Sequence, residues 1–211
     1  MSIIYAFANQ KGGVGKTTTA VSVAAYMAEW GLRVLLVDID PQANATASLG
    51  IDRRTVEQSM YDILVREVPL EQTLTLTRRV RLDLVPSTAQ LAGATVEMVS
   101  ALARERRLQW ALDAVVSRYD YILIDCPPSL GLLTVNGLTA ARNGVVIPVQ
   151  CEYLALEGLT QLVRTIGLVR KALNPSLRIR GLVMTMFDSR TNLAKQVIDE
   201  VRGHFGTRVF N

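Results

Sequence analysis

The sequence predicts an α/β fold: a mostly parallel, twisted β-sheet with helices on both faces, making three layers. Three observations predict it. Short runs that are almost wholly apolar, as at 34–37, 121–124 and 144–149, suit strands buried on both faces. Segments with apolar residues at three- and four-residue spacing separate these runs, as crossover helices between parallel strands require. A glycine-rich stretch joins the first run to the first helical segment.

The elements follow in order. Residues 3–8 form a buried strand that feeds Asn9-Gln10-Lys11-Gly12-Gly13. A helix is expected from 16 to about 30, where Ala20, Val23, Ala24, Met27 and Ala28 recur at helical spacing and Gly31 closes it. Residues 34–37 make a second strand that ends at Asp38. The segment 39–50, rich in Pro, Asn, Ala, Thr and Ser, reads as a mobile loop. A short helix is expected over 59–65, a short strand over 82–85, and a long helix over 95–117 broken by charges at 104–107. Residues 121–124 form a strand ending at Asp125, which Pro127-Pro128 keeps from continuing. A helix at 132–141, a strand at 144–149 and a helix at 154–173, closed by Asn174-Pro175, come next. A strand at 179–186, a helix at 193–205 and the start of another strand at 208–210 complete the series. In such sheets ligands sit beyond the carboxyl ends of the strands, where Asn9, Asp38, Asp125 and Gln150 all fall. No repeat or linker divides the 211 residues, so one domain spanning 1–211 is expected.

Composition narrows the function classes. With 49% hydrophobic and 20% charged residues the chain is globular in character. No apolar stretch approaches the roughly 20 residues of a membrane span, and no basic leader precedes the first strand. A soluble, cytoplasmic protein is therefore expected. Cys126 and Cys151 lack metal-site spacing and read as buried, reduced thiols. His204 is the lone histidine and reads as a surface residue, leaving little material for zinc or histidine catalysis. The net charge of +4 is unevenly placed: residues 164–211 hold nine Lys and Arg against three Asp and Glu. A basic end on a near-neutral body suits a polyanionic partner, although a solvated helix face has the same composition.

The chemistry concentrates at Gln10-Lys11-Gly12-Gly13-Val14-Gly15-Lys16-Thr17-Thr18. It follows a strand and opens a helix, the context of a phosphate-binding P-loop. Gly12, Gly13 and Gly15 let the backbone, with Val14 and Thr18, wrap around phosphate oxygens, and the helix start adds its dipole. Lys16 is expected at the β- and γ-phosphates of ATP, with the Thr17 hydroxyl on Mg²⁺. Gln10 replaces the first glycine of the general pattern, and Lys11 is a second lysine in the loop. Asp38-Ile39-Asp40-Pro41-Gln42 and Asp125-Cys126-Pro127-Pro128-Ser129 end two strands. Either aspartate alone could simply begin a turn; an aspartate closing four apolar residues also fits the Walker B position, which places Asp125 on Mg²⁺ through water.

Lys-Gly-Gly-Val-Gly-Lys-Thr-Thr resembles the deviant Walker A motif of the ParA/MinD group of ATPases. The resemblance extends to the stretches 38–50 and 125–133, Tyr61-Asp62-Ile63-Leu64, Gln90-Leu91-Ala92-Gly93, 148–153, 155–158 and 188–197, so that the sequence is similar to the ParA/Soj chromosome-partition subgroup along essentially its whole length. It implies that Lys11 reaches the nucleotide of a second subunit, as an arginine finger does. It implies that Asp40 positions the attacking water and that Asp38 lies near the metal. It implies an ATP-bound homodimer, non-specific double-stranded DNA contacted by Arg190, and stimulation by a ParB/Spo0J-type centromere-binding protein. Arg164, Lys171, Lys195 and Arg202 are further candidates for that DNA surface. The setting implied is the bacterial cytoplasm, on the nucleoid and without a membrane. Family members continue with an adenine-contacting Ile-Pro-Arg-Asn segment, a basic stretch and a closing helix, so a segment beyond Asn211 is expected. A MinD-like membrane switch is the alternative, and would need an amphipathic C-terminal helix. A nitrogenase-type reductase or arsenite pump would need cysteines that Cys126 and Cys151 do not match.

Overall fold

A computed structural model describes residues 2–152 and 155–210. The chain runs β1 (Ile3–Phe7), α1 (Lys16–Glu29), β2 (Val34–Asp38), α2 (Asn44–Ser48), α3 (Met60–Arg66), α4 (Leu70–Thr73), β3 (Thr75–Leu76) and β4 (Leu82–Val85). It continues α5 (Leu91–Glu97), α6 (Arg107–Asp113), β5 (Tyr121–Asp125), α7 (Leu132–Ala140), β6 (Gly144–Gln150), α8 (Ala155–Ala172), β7 (Ile179–Thr185) and α9 (Asn192–Phe205). The strands form one seven-stranded sheet in the order β3-β4-β2-β5-β1-β6-β7. All pairings are parallel except β3 with β4.

Side-chain alternation divides the core between the two faces of the sheet. Leu35 and Val37 of β2 and Ile122 and Ile124 of β5 join one apolar cluster, which α3, α5, α6, α7 and α8 cover. Val34, Leu36 and Leu123 join the other, against Ala20, Ala24 and Ala28 of α1. The three alanines, all buried, let α1 lie close to the strands and so bring its first turn to the sheet edge. Two-sided burial is why these strands read as unbroken apolar runs.

Three expectations are corrected. The segment 39–50 is not a mobile loop: it contains α2, and Ala43, Ala45 and Thr46 are wholly buried. The expected helix over 95–117 is broken into the end of α5, a 3-10 turn at Arg104–Arg106, α6 and another 3-10 turn at Val116–Arg118. Asn136, buried on α7, supports that break: its Oδ1 accepts from Leu108 N at 3.2 Å and its Nδ2 donates to Arg104 O at 2.9 Å. A long-range side chain thus satisfies the backbone groups that the break leaves open. Residues 208–210 make one parallel bridge, Val209 to Leu182, rather than a strand. Gly181 permits it, because a Cβ there would lie 2.4 Å from the Phe210 ring. The antiparallel β3 and the short α4 had no periodic signal. Leu154, the first residue of the helix expected at 154–173, lies with Tyr153 outside the described residues.

Candidate functional site

The glycine-rich loop spans the gap between β1 and α1 at the carboxyl end of the sheet. Gly13 and Gly15 take φ of 74° and 83°, the left-handed region where a side chain is strained. Two side chains fasten the loop to its neighbours. Asn9 Nδ2 donates to Pro148 O at 2.6 Å while its Oδ1 accepts from Lys11 N at 3.1 Å. Thr185, at the end of β7, donates through Oγ1 to Val14 O at 2.9 Å. Among the described residues no side chain caps the start of α1, and its first turn has no acidic residue. Its first N–H groups are left for a ligand, and an anion is the ligand that the helix dipole favours.

Lys16 is 6% exposed, the only Lys or Arg among the described residues to be buried. Its Nζ donates to Lys11 O at 3.0 Å. Burial lowers its pKa, and the charges of Asp125 and Asp40 oppose that shift. A buried ammonium with one carbonyl partner and nearby carboxylates is poised for a stronger anionic ligand.

Two strand-end aspartates stand side by side, since Asp38 of β2 is in register with Asp125 of β5. Asp125 is wholly buried, and among the described residues no hydrogen bond of ordinary length and angle reaches either carboxylate oxygen, although the Thr17 hydroxyl is close enough to act on it. Burial and the neighbouring Asp38 push its carboxyl up to about 7, against the pull of Thr17 and Lys16. An orphaned buried carboxylate is costly unless something else partners it. A hydrated divalent cation fits that requirement, with the Thr17 hydroxyl as a second oxygen. Among the described residues no group of three or more His, Cys, Asp or Glu could hold a metal unaided. One carboxylate and one hydroxyl beside a phosphate cradle suit an ion that shares its coordination with water and phosphate, the habit of Mg²⁺.

Asp38 also anchors the loop that follows it. Its Oδ2 accepts from Thr46 N at 2.8 Å and from Thr46 Oγ1 at 2.7 Å, and its Oδ1 accepts from Asp40 N at 3.2 Å. Burial still raises its carboxyl to about 6 despite the Thr46 bonds. Thr46 Oγ1 in turn accepts from Ser87 N at 3.0 Å, and Ser87 Oγ donates to Asp40 O at 2.7 Å. Asp38, Thr46 and Ser87 thus fix the backbone that presents Asp40, itself 5% exposed. Neither Thr46 nor Ser87 stood out in the sequence; they lie in segments without period, and only the fold joins them.

Lys11 does not point into this cradle. Its ammonium pairs with Glu152, whose other oxygen accepts from Gln150 Nε2. Cys126 and Cys151 are buried and free, and His204 is exposed, as expected.

The basic candidates lie on other elements. Arg190 sits between β7 and α9 with its side chain 87% exposed. It grips Asp188 in a fork, Nε to Oδ1 at 2.9 Å and Nη2 to Oδ2 at 2.7 Å. Lys195 and Arg202 are exposed on α9, whose Ala194, Val197 and Val201 are buried. Arg164 and Lys171 are exposed on α8. Among the described residues no helix is long and apolar enough to cross a membrane.

Comparison with known proteins accords with this geometry. The AAA domain family model AAA_31 matches residues 1–179. Sporulation initiation inhibitor protein Soj of Bacillus subtilis is 57% identical over 210 residues, covering 100% of this chain and 83% of that one. Chromosome partitioning protein ParA of Myxococcus xanthus is 53% identical, covering 98% of this chain and 73% of that one. A crystal structure named cobyrinic acid a,c-diamide synthase, from Mycobacterium smegmatis with bound ATP analogue and magnesium, superposes with a TM-score of 0.93 at 42% identity. It covers 98% of this chain and 84% of that one. With its glycine cradle, buried lysine and paired strand-end aspartates, the chain belongs to the ParA/Soj family of P-loop partition ATPases.

Proposed function

We propose that the chain hydrolyses ATP with Mg²⁺ as a partition switch that binds DNA as an ATP-closed dimer. The observation that carries the reading is the orphaned Asp125 carboxylate beside buried Lys16, at the mouth of an uncapped helix. Lys16 moves from Lys11 O to the β- and γ-phosphates, and the N–H groups of residues 12–18 bind their oxygens. Thr17, with Asp125 and Asp38 through water, holds Mg²⁺, which when bound offsets the charge of the phosphates. Asp40, fixed by the Thr46–Ser87 network, orients the attacking water and accepts its proton. Lys11 acts on the nucleotide of the other subunit, adding a cation where charge develops.

ATP stabilises the dimer because only the paired form supplies that second lysine. Closing two subunits also joins two copies of the surface carrying Arg190, Arg164, Lys171, Lys195 and Arg202. Lysines and arginines acting on phosphates make the binding independent of sequence and steeply salt-dependent. A ParB/Spo0J-type protein is the partner that accelerates hydrolysis and resets the switch. Relatives named Soj and ParA support this reading, and it places one domain over 1–211 in the bacterial cytoplasm, on the nucleoid.

Sedimentation velocity tests it. The protein should run as a dimer with a non-hydrolysable ATP analogue and as a monomer with ADP. A monomer in both, or a dimer in both, contradicts it. Recruitment of the ATP form to anionic liposomes instead of DNA would support a membrane switch.

A further inference from the structure

Lys11 and Glu152 lie 141 positions apart, yet their side chains meet. Both are only part-buried, at 36% and 45% side-chain exposure, so the contact is open to competition. Its two ends are nevertheless well anchored. On one side, Asn9 ties Lys11 N to the sheet, and Lys16 Nζ holds the Lys11 carbonyl. On the other, Cys151 N donates to Thr185 O at 3.2 Å and Glu152 N to Gln150 O at 2.8 Å. Thr185 is also the residue that clamps the loop through Val14 O. Gln150 then holds the second oxygen of Glu152. A rigid frame therefore carries one displaceable ion pair, and the cation in it is the lysine with no task inside its own cradle.

We propose that Glu152 is a positioning residue: it holds Lys11 against its own subunit in the nucleotide-free protein and yields it when two ATP-bound subunits close. The inference rests on the trans role of Lys11 given above and adds what that lysine must leave. The exchange is close to balanced. A half-exposed pair is worth little, whereas the phosphates of a second subunit offer several acceptor oxygens and more charge. ATP in the same cradle also draws Lys16 off the Lys11 carbonyl, removing one of the bonds that steady the pair. The contact thus sets a threshold: Lys11 stays parked on Glu152 unless a triphosphate and a partner are both present.

Two measurements on Glu152→Gln test this, with Glu152→Ala as a second variant. The first needs no dimer. An amine-reactive label, read by mass spectrometry, should modify Lys11 of the nucleotide-free variant about 3-fold faster than in the wild type. Lys171 and Lys195 should be unchanged. The second is sedimentation with an ATP analogue. A dimer releases two such pairs, so half-dimerisation should occur at roughly tenfold lower protein concentration. Unchanged Lys11 labelling overturns the parked state. Faster labelling with weaker dimerisation overturns the threshold, because Glu152 then contributes to the closed dimer. If the wild type itself stays monomeric with ATP, the trans-lysine reading has failed, and labelling alone decides whether Glu152 holds Lys11.

Discussion

At the carboxyl ends of β1, β2 and β5 the charged groups are buried: Lys16, Asp38, Asp40 and Asp125 are all between 0% and 6% exposed. Between Asp188 and Arg208 they stand in water, and Arg190 is 87% exposed with a local partner two residues away. Burial makes the first region specific, since each charge there needs a defined partner and two carboxylate oxygens still lack one. Exposure makes the second region tolerant, since its cations can exchange one anion for another at little cost. A site for one ligand and a surface for any duplex thus differ in how much water is removed from the charges.

If that contrast is right, substitutions in the buried region have large effects. Lys16→Ala should weaken ATP binding by about 100-fold or more, because it removes the buried counter-charge of the phosphates. Equilibrium binding of a fluorescent ATP analogue reads it, and an affinity within a few-fold of wild type would remove Lys16 from the cradle. Asp40→Ala should slow turnover by about 100-fold or more while leaving ATP affinity within a few-fold, trapping the dimer. Steady-state phosphate release and gel filtration check both halves.

The exposed region should respond less. Arg190→Ala is expected to weaken DNA binding by about 5-fold and to lower the salt slope by roughly 1, without changing ATPase activity in the absence of DNA. A gel shift identical to wild type at every salt concentration would take Arg190 off the surface. Its pairing with Asp188, whose carboxyl it holds below the ordinary range, sharpens the expectation. Asp188→Asn should strengthen DNA binding slightly, since phosphate no longer competes with a carboxylate.

The smallest effect is a pH dependence confined to the buried side. Asp125 and Asp38 titrate near 7 and 6 in the nucleotide-free protein, above their unfolded values. The folded state therefore binds more protons than the unfolded chain in this range, and stability rises as pH falls through it. Between about pH 8 and pH 6 the melting temperature should rise by roughly 3–7 °C. Asp125→Asn should flatten that profile, and a wild-type profile already flat would mean that the carboxylate has a partner.

Most of the sheet was legible because strands buried on both faces leave unbroken apolar runs, and so was the cradle, whose glycines and lysines are adjacent in sequence. What escaped depends on residues far apart in the chain. The break between α5 and α6 needs Asn136, and the order of the segment 39–50 needs Ser87, which bonds Thr46 and Asp40. Ser87 and Thr185 reach the site through hydroxyls that local pattern cannot distinguish from any other. Glu152 was read only as part of a family-like stretch, since its pairing with Lys11 exists only when β6 ends beside the loop.

The central claim is that occupancy of the buried site governs the exposed one, and random-sequence duplex tests it most directly. Retention of wild-type protein should occur with a non-hydrolysable ATP analogue, disappear with ADP or without nucleotide, and be lost in Lys11→Ala under all three conditions. Equal retention of the wild type in all three would contradict it.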